Sequence, residues 1–383
     1  MVLPPFPLLQ RRRFLGLAGA LAFAGLGAGC QSWPRTDGTP LDAGLPPLDS
    51  AALLDDLEQR SFRFFWETTD AATGLAPDRW PTPSFASVAA VGFALTAYPI
   101  GVARGWITRE QARARVLTTL RFFHAAPQGP QAAGTAGYKG FFYHFLDMRT
   151  GTRFERVELS TADTALLIAG VLHCGTWFDG ADAQEAEIRV LAEALYARVD
   201  WRWAQVRSPA IGLGWTPEAG HLPYDYKGYN EVMLLYLLAL GSPTFAVGAD
   251  AWDAWTSTYD RASWGSEYGQ TYLRFPPLFG HQFTHCWVDF RGVRDAYMRR
   301  RGLDYFENSR RAAYAQRAYA SVNPEGWKGY GPNVWGITAS DGPADVQRVF
   351  DGRMRRFLSY AGRGMGGAQT HDDGTIAPYA AGS

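Results

Sequence analysis

Two runs of the sequence are apolar at nearly every position: ALLIAGVLHCGTWF, residues Ala165–Phe178, and VMLLYLLALG, residues Val232–Gly241. A helix that is apolar on every side must be buried on every side. Each run is shorter than the roughly 20 apolar residues that a helix needs to cross a bilayer. We therefore predict that both runs form helices deep inside a protein core.

Other stretches have a single apolar face, as in Ile107–Phe123, where Val116, Leu120 and Phe123 fall on one side of a helix. Alternation of amphipathic and wholly apolar helices favours two layers, with inner helices ringed by outer ones. Little period-two alternation is visible, and the loops are rich in Gly, Pro and Trp. The predicted helices cover residues 50–67, 84–99, 108–125, 160–177, 183–200, 229–240, 244–257, 286–299, 305–320 and 344–358.

The composition points to a neutral ligand. The 37 basic residues balance 37 acidic ones, so a nucleic acid or an anionic polymer is not indicated as a partner. The chain contains 14 Trp, and 14% of its residues are aromatic. Most of these rings are expected to pack the core, but flat rings beside polar groups are also what sugar faces pack against.

Residues 1–30 are typical of an export signal. Arg11–Arg13 precede the apolar run Leu15–Leu26, as in twin-arginine signals. Small residues then lead into Cys30, which resembles a bacterial lipoprotein processing site. Ordinary cleavage near Ala28 is the alternative. We favour lipidation of Cys30, which would tether the protein to the periplasmic side of a membrane.

Residues 31–47 are rich in Pro, Gly and Ser and predict a flexible linker before a single domain at 48–383. Cys174 and Cys286 remain in that domain. They could form a disulfide in an oxidising compartment. We predict free thiols, because both lie in apolar helical stretches and twin-arginine export carries proteins already folded in the cytoplasm.

Carboxylates stand just ahead of both apolar helices: Glu158 and Asp163 before the first, Glu231 before the second. Glycoside hydrolysis uses two carboxyl groups, one as acid and the other as base or nucleophile. A structural role is the alternative in each case. Ser160 and Asp163 match a capping box, and Asn230 could cap a helix whose first turn holds Glu231.

Two blocks near the C-terminus are distinctive: DYFENSRRAAYAQRAYASVNPEGWKGYGPNVWGITASDGP (Asp304–Pro343) and HDDGTIAPYAA (His371–Ala381). Together they resemble the glycoamylase-like family of bacterial carbohydrate enzymes, which includes the endo-β-1,2-glucanases. The resemblance implies an all-α fold, an (α/α)₆ toroid of twelve helices. About ten are predicted here and the chain stops at Ser383, so we expect the last helical hairpin to be lacking. A helix pair hidden in a loop is the alternative.

The resemblance also implies roles for the carboxylates. Glu231 matches the glutamate of the family's Asn-Glu step, and Asp163 matches an acid just before the apolar run. The family's endoglucanases carry a further acid where this chain has Ser160, and Glu158 could take that role. Our hypothesis is that Glu231 is the general acid, with Asp163 or Glu158 positioning water.

Further residues are candidates for sugar binding, from aromatic stacking or from hydrogen bonding. Asp341 and Asp373 lie in Gly-rich loops, where turn formation is the alternative. Asp289 and Arg291 could bind sugar hydroxyls or pair with each other. The remaining candidates are the rings of Trp215, Tyr224, Tyr226, Trp287, Trp327, Tyr330 and Trp335.

No cofactor or metal is predicted. His173-Cys174, His285-Cys286 and the His281/His285 pair use zinc-binding residue types, but no HExxH or CxxC motif accompanies them. Gly362-x-Gly364-x-x-Gly367 fits a dinucleotide fingerprint, yet no βαβ unit surrounds it, so a flexible loop is predicted.

The sequence therefore predicts a monomeric, exported, membrane-tethered glycoside hydrolase acting on β-linked glucan, with β-1,2-glucan as the favoured substrate. An exo-acting or transferring enzyme on β-1,2-linked oligosaccharides is the first alternative. A glycan-binding lipoprotein without turnover is the second, and a zinc-dependent toroid enzyme is the third.

Overall fold

The computed structural model describes residues 50–365 and 371–382. The chain divides into two compact units, Met1–Ser61 and Phe62–Ser383, and only Ser50–Ser61 of the first is described. The predicted signal at residues 1–30, with Cys30, and the linker at residues 31–47 lie outside the described residues.

Helices are the main regular elements of the described residues. They are α1 (Ser50–Thr68), α2 (Val88–Ala103), α3 (Arg109–Ala125), α4 (Thr161–Trp177), α5 (Ala183–Ala197), α6 (Met233–Gly241), α7 (Asp250–Thr256), α8 (Ala296–Arg301), α9 (Tyr305–Val322) and α10 (Tyr379–Gly382). Two 3₁₀ turns, Leu278–His281 and Phe283–Cys286, and a π turn, Tyr259–Ser263, lie between α7 and α8.

Short strands accompany the helices, so the expectation of an all-α fold is wrong on this point. They are β1 (Ala86–Ser87), β2 (Gly137–Tyr138), β3 (Phe141–Tyr143), β4 (Phe145–Leu146), β5 (Leu159–Ser160), β6 (Gly214–Thr216), β7 (Gly220–His221), β8 (Trp264–Glu267), β9 (Gln270–Leu273), β10 (Ala339–Asp341), β11 (Val346–Phe350), β12 (Arg353–Phe357) and β13 (Tyr360–Gly362). The largest sheet has the order β2-β3-β5-β6-β7, and the others are antiparallel pairs.

Capping residues mark where several helices begin and end. Thr108 and Gln111 form a reciprocal capping box at the start of α3. The Asp304 side chain accepts the backbone N–H of Glu307 at the start of α9, and Asn323 ends that helix in the left-handed conformation. These signals explain why the predicted helices at 108–125 and 305–320 agree closely with the structure.

The apolar helices pack on one another. α4 is buried almost continuously from Thr161 to Val171, and its main partner is α2. Two glycines let the backbones touch: a Cβ added to Gly92 would lie 2.2 Å from the Leu166 carbonyl oxygen, and one added to Gly170 would lie 2.1 Å from that of Gly92. α6 also packs on α4.

One short segment, Phe141–Leu146, connects the starts of α2 and α4. Its first half pairs with β5, with Phe142 opposite Ser160. Its second half pairs with β1, with Phe145 opposite Ser87. Ser87 and Ser160 are the N-caps of α2 and α4, so each helix grows directly out of a strand. The segment thus spans the two helix starts, with His144 at its centre.

The helix predicted at 344–358 is wrong. Val346–Phe350 and Arg353–Phe357 pair as an antiparallel hairpin. Its two-residue turn is Asp351-Gly352, and both residues have positive φ, 48° and 73°. This is the type I′ geometry that Asp-Gly favours because it matches the twist of the strands.

The helix predicted at 286–299 is also largely absent, because only α8 forms there, from Ala296. Upstream, the Asp289 side chain accepts the Arg291 backbone N–H at 3.1 Å, closing a turn. Gly292 follows with a φ of 77°, which interrupts a right-handed helix.

Both described cysteines are free thiols, which confirms that prediction. Cys174 is buried and Cys286 is exposed. Burial raises the pKa of the Cys174 thiol. None of the helices in the described part of the chain combines the length and hydrophobicity needed to cross a lipid bilayer.

The contact between α2 and α4 can be tested with Gly92→Ala. In an open helix position this change would stabilise by up to about 1 kcal/mol. Here we expect a loss of about 3 kcal/mol in the free energy of unfolding, because the new methyl group meets backbone atoms. Urea denaturation measures the change. Gly331→Ala, whose Cβ would meet nothing within 4 Å, is the control and should change little.

Candidate active site

Three titratable side chains meet at the start of α4. His144 Nδ1 lies 3.1 Å from Glu158 Oε1, and His144 Nε2 lies 3.5 Å from Asp163 Oδ1. The side chains of His144, Glu158 and Asp163 are 15%, 13% and 13% exposed. They are thus shielded from bulk water and still reachable. The structure brings together two of the three predicted catalytic carboxylates.

Backbone pairing fixes this cluster. The His144 N–H donates to the Glu158 carbonyl at 2.9 Å, continuing the β3–β5 ladder. Thr164 on α4 accepts the Phe142 N–H at 3.0 Å, and the Thr161 hydroxyl donates to the Gly212 carbonyl at 2.8 Å. Three chain segments are therefore held against the first turn of α4.

Ser160 caps α4, as the capping interpretation predicted, and the Asp163 carboxylate contacts neighbouring side chains. Ser160 is the N-cap of α4, and its side chain accepts the Asp163 N–H at 3.2 Å. Its hydroxyl also donates a short hydrogen bond to Asp163 Oδ2. The capping interpretation is thus correct for Ser160, while the Asp163 carboxylate faces Ser160 on one oxygen and His144 on the other.

Glu231 does not lie in the first turn of a helix, contrary to the capping alternative. α6 begins at Met233, and Asn230 instead accepts the Val232 N–H at 3.1 Å in a turn before the helix. Asn230 is buried, and its Nδ2 has no hydrogen-bond partner among the described residues. Glu231 is partly exposed.

The start of α6 lies beside the start of α4. Leu234, three residues after Glu231, shares a buried cluster with Leu166, three residues after Asp163, and with Ala169. Partly exposed rings of Phe93, Phe283 and Trp287 pack on this cluster. The helix ends that carry the predicted acids are therefore neighbours, with aromatic rings close to them.

Trp215 lies on the other face of the sheet from the carboxylates. It pairs with Leu159, whereas Gly214 pairs with Ser160. Because successive strand residues point to opposite faces, Glu158 shares its face with Gly214 and not with Trp215. The Trp215 ring packs with Tyr138 and Trp203, at centroid distances of 5.3 and 6.0 Å.

The other candidates of the middle region differ in accessibility. Tyr224 is exposed and Tyr226 is buried. Trp287 is half-buried, and its indole N–H donates to Thr96 at 2.9 Å. Asp289 and Arg291 form an exposed, two-pronged ion pair with each other, at 2.8 and 2.7 Å, which is the pairing alternative.

The C-terminal candidates are dispersed. Asp341 is exposed and lies 3.3 Å from Arg79 Nη1. Trp327 is buried, and the Tyr330 hydroxyl donates to Asp372 at 2.8 Å. Trp335 borders an open pocket of about 510 Å³, whose lining contains neither Glu158, Asp163 nor Glu231. The lining residues are Ala313, Tyr314, Arg317, Pro332, Asn333 and Trp335.

Asp373 was predicted to line a cleft, but it does not. Its carboxylate is fully buried and receives Nε and Nη2 of Arg363 at 2.6 and 2.7 Å. It also accepts the Leu358 N–H at 3.2 Å. Burial alone would raise the pKa of Asp373, but hydrogen bonds from His371 and Arg363 outweigh it and hold that pKa well below its usual range.

The histidines considered as zinc ligands have different surroundings and different partners. His281 is buried, with its ring 4.9 Å from that of Tyr229, and burial lowers its pKa to about 3. His285 Nε2 lies 2.9 Å from the Ser309 hydroxyl. Within residues 50–365 and 371–382, no three His, Cys, Asp or Glu side chains are grouped as a metal site would require.

His144 is the site residue that the sequence analysis missed. Its stretch, Phe141–Leu146, is FFYHFL, and aromatic residues of this kind are enriched in strands. His144 is the one basic residue within this aromatic stretch, and that isolation was the signal that could have marked it as a site residue.

Comparison with known proteins confirms the family resemblance. Residues 223–383 match the Glycoamylase family model, described as "Putative glucoamylase". The exo beta-1,2-glucooligosaccharide sophorohydrolase (non-reducing end) of Parabacteroides distasonis is 28% identical over 336 residues, covering 80% of this chain. The chain spans only 45% of that relative's length.

Solved structures agree with the fold. A "putative glucoamylase" from Bacteroides fragilis superposes with a TM-score of 0.71 at 27% identity, covering 85% of this chain and 75% of that one. The endo-beta-1,2-glucanase of Chitinophaga pinensis, in complex with sophorotriose and glucose, has a TM-score of 0.71 at 24% identity, covering 83% and 75%. The fold of the matched part of the chain is thus shared with these solved structures.

The buried Asp373–Arg363 pair predicts an acid-sensitive contribution to stability. Asp373→Asn should lower the free energy of unfolding by about 3–5 kcal/mol at pH 7, because it leaves the guanidinium buried without its counter-ion. The folded-state pKa lies below the unfolded value of about 3.9, so the contribution is complete above that pH and is lost as the pH falls below it.

Urea denaturation of both proteins between pH 7 and pH 3 would check this: the difference in unfolding free energy should shrink at the acid end. Asp289→Asn is the matched control, since its pair with Arg291 is exposed and should contribute little. A constant difference across this range would contradict the assignment.

Proposed function

We propose that this chain is a member of the glycoamylase-like family, which it resembles, and a glycoside hydrolase that cleaves β-1,2-glucan. The observation that carries the proposal is the pair of shielded carboxylates, Glu158 and Asp163, beside the start of α6, where Glu231 lies. The names of the P. distasonis and C. pinensis proteins, which act on β-1,2-linked glucose, support the choice of substrate.

In the proposed mechanism, Glu231 is the general acid that protonates the leaving glycosidic oxygen. Asp163 or Glu158 orients and deprotonates the attacking water. Glycosidases divide these two tasks between carboxyl groups in different environments. The candidate groups here have such different environments. Glu231 lies before α6, whereas Asp163, at the start of α4, accepts a hydrogen bond from the Ser160 hydroxyl and contacts the His144 ring. Acid–base catalysis of this kind needs no cofactor.

An exo-acting enzyme that releases a disaccharide is the second candidate. It is favoured by the printed activity of the P. distasonis relative, an exo-acting sophorohydrolase. The two candidates use the same carboxylates and differ in whether the interior of the glucan or a chain end is bound, so the size of the products distinguishes them.

For the unit Phe62–Ser383 we infer the double-layered arrangement of an (α/α)₆ toroid. The apolar helices α2, α4 and α6 pack in succession, as the inner layer requires. α3 packs on both α2 and α5, and α5 packs on α4, as an outer layer requires.

We also propose export by the twin-arginine route, with a lipid on Cys30 and a monomeric enzyme held at the periplasmic membrane face. The sequence features at residues 1–30 support this. Periplasmic location would place the enzyme where neutral glucans are accessible to it.

Product analysis tests the proposed activity. The purified protein, incubated with β-1,2-glucan, should release short β-1,2-linked oligosaccharides, while soluble starch stays intact. A ladder of sizes would indicate endo action, and a single disaccharide would indicate exo action. No product from a protein that is folded by circular dichroism would instead favour the glycan-binding lipoprotein.

Glu231→Gln tests the proposed acid. The amide keeps the size of the side chain but cannot supply the proton, so kcat should fall by about 10²–10⁴-fold. Glu193→Gln, an exposed glutamate on α5, is the matched control and should retain wild-type activity. Full activity of Glu231→Gln would refute this role.

A further inference from the structure

The His144 ring lies between two carboxylates and contacts both. Nδ1 is 3.1 Å from Glu158, a hydrogen-bond distance, and Nε2 is 3.5 Å from Asp163, an ion-pair distance. We propose that His144 is a positioning residue that joins Glu158 and Asp163 into one water-activating unit. The inference rests on the proposed glycoside hydrolase activity.

Proton accounting supports a shared unit. A ring nitrogen and a carboxylate oxygen can hydrogen-bond only if one of them carries a proton. Of the two contacts, only that of Nδ1 with Glu158 is at hydrogen-bond distance, so one proton lies between the ring and Glu158. A second proton on Nε2 would make the ring an imidazolium, whose positive charge would attract Asp163 at its ion-pair distance of 3.5 Å.

The ring has little freedom to leave this position. It stacks on Phe145, with centroids 3.9 Å apart and planes 23° from parallel, and Phe145 in turn packs on Phe85 at 4.1 Å. The backbone of His144 is held on both sides: its N–H donates to the Glu158 carbonyl, and its carbonyl accepts the Val88 N–H at 3.2 Å. The geometry of the two carboxylates is therefore set by a ring that is itself fixed.

The unit divides the roles of the acids. Asp163 faces Ser160 through Oδ2 and His144 through Oδ1, so both of its oxygens meet potential donors. These two contacts fix the orientation of the Asp163 carboxylate, and we assign it the role of the base that takes the proton of the attacking water. Glu158 supports the far side of the ring. The acid role is then left to Glu231, at the start of α6.

A set of three substitutions separates the two contacts. His144→Phe keeps a flat ring and removes both nitrogens. His144→Asn retains an amide close to the position of Nδ1, facing Glu158, and His144→Gln can reach toward the position of Nε2, facing Asp163. His124→Gln, an exposed histidine at the end of α3, is the control.

We expect His144→Phe to lower kcat on β-1,2-glucan about 100-fold with KM within about threefold of wild type, because water is misplaced while sugar binding persists. His144→Gln should recover at least about tenfold of that loss, and His144→Asn less. Thermal unfolding midpoints, measured in parallel, distinguish a misplaced water from an unfolded protein. If a variant lost activity by unfolding, its midpoint would fall and His144→Gln would not selectively recover kcat.

The outcomes are separable. An active wild type with all three variants within about threefold of it would overturn the positioning role and leave the proposed function intact. A wild type that cleaves no β-1,2-glucan would overturn both. Should His144→Phe fail to fold, the other two variants decide: a tenfold or greater loss in His144→Asn, with His144→Gln nearer to wild type, supports the role, and equal wild-type rates refute it.

Discussion

Gly92 and Gly170 place the backbones of α2 and α4 in direct contact, and the arrangement of the candidate site depends on that spacing. Each of these helices starts at a serine that ends a strand, Ser87 or Ser160. Because the helices touch, the two strand ends are close enough for one segment, Phe141–Leu146, to pair with both. A larger side chain at Gly92 or Gly170 would push α2 and α4 apart. The strand ends, and with them the groups around His144, would then also move apart.

The same arrangement explains the polarity of the region. The helices beneath it are largely apolar, and the groups around His144 lie at helix starts, where the first backbone N–H groups lack partners within the helix. The Ser160 side chain satisfies part of this demand, and the His144 ring contacts both carboxylates. The same helix end thus combines a cap, Ser160, with a carboxylate that contacts other side chains, so the two interpretations posed by the sequence do not exclude each other.

Sequence patterns predicted most of the long helices, but the helices predicted at 286–299 and 344–358 are largely absent, and the short strands were missed. The apolar runs of α4 and α6 and the caps of α3 and α9 are local signals, and they were sufficient. Strands of two or three residues contain too few positions to show alternation, so the sheet around Glu158 was missed. The Asp351-Gly352 hairpin had a local signal that was overlooked. The burial of Asp373 had none, because its partner Arg363 approaches from another loop.

Cys174 lies inside the α2–α4 contact, with its sulfur 3.1 Å from the Leu95 carbonyl oxygen. Burial raises the pKa of this thiol and shields it from reagents while the two helices remain together. Its modification therefore requires the pair to separate, and the rate of labelling reports how often this happens. Cys174 is thus a native probe of core opening, and its labelling rate can be measured without introducing another cysteine.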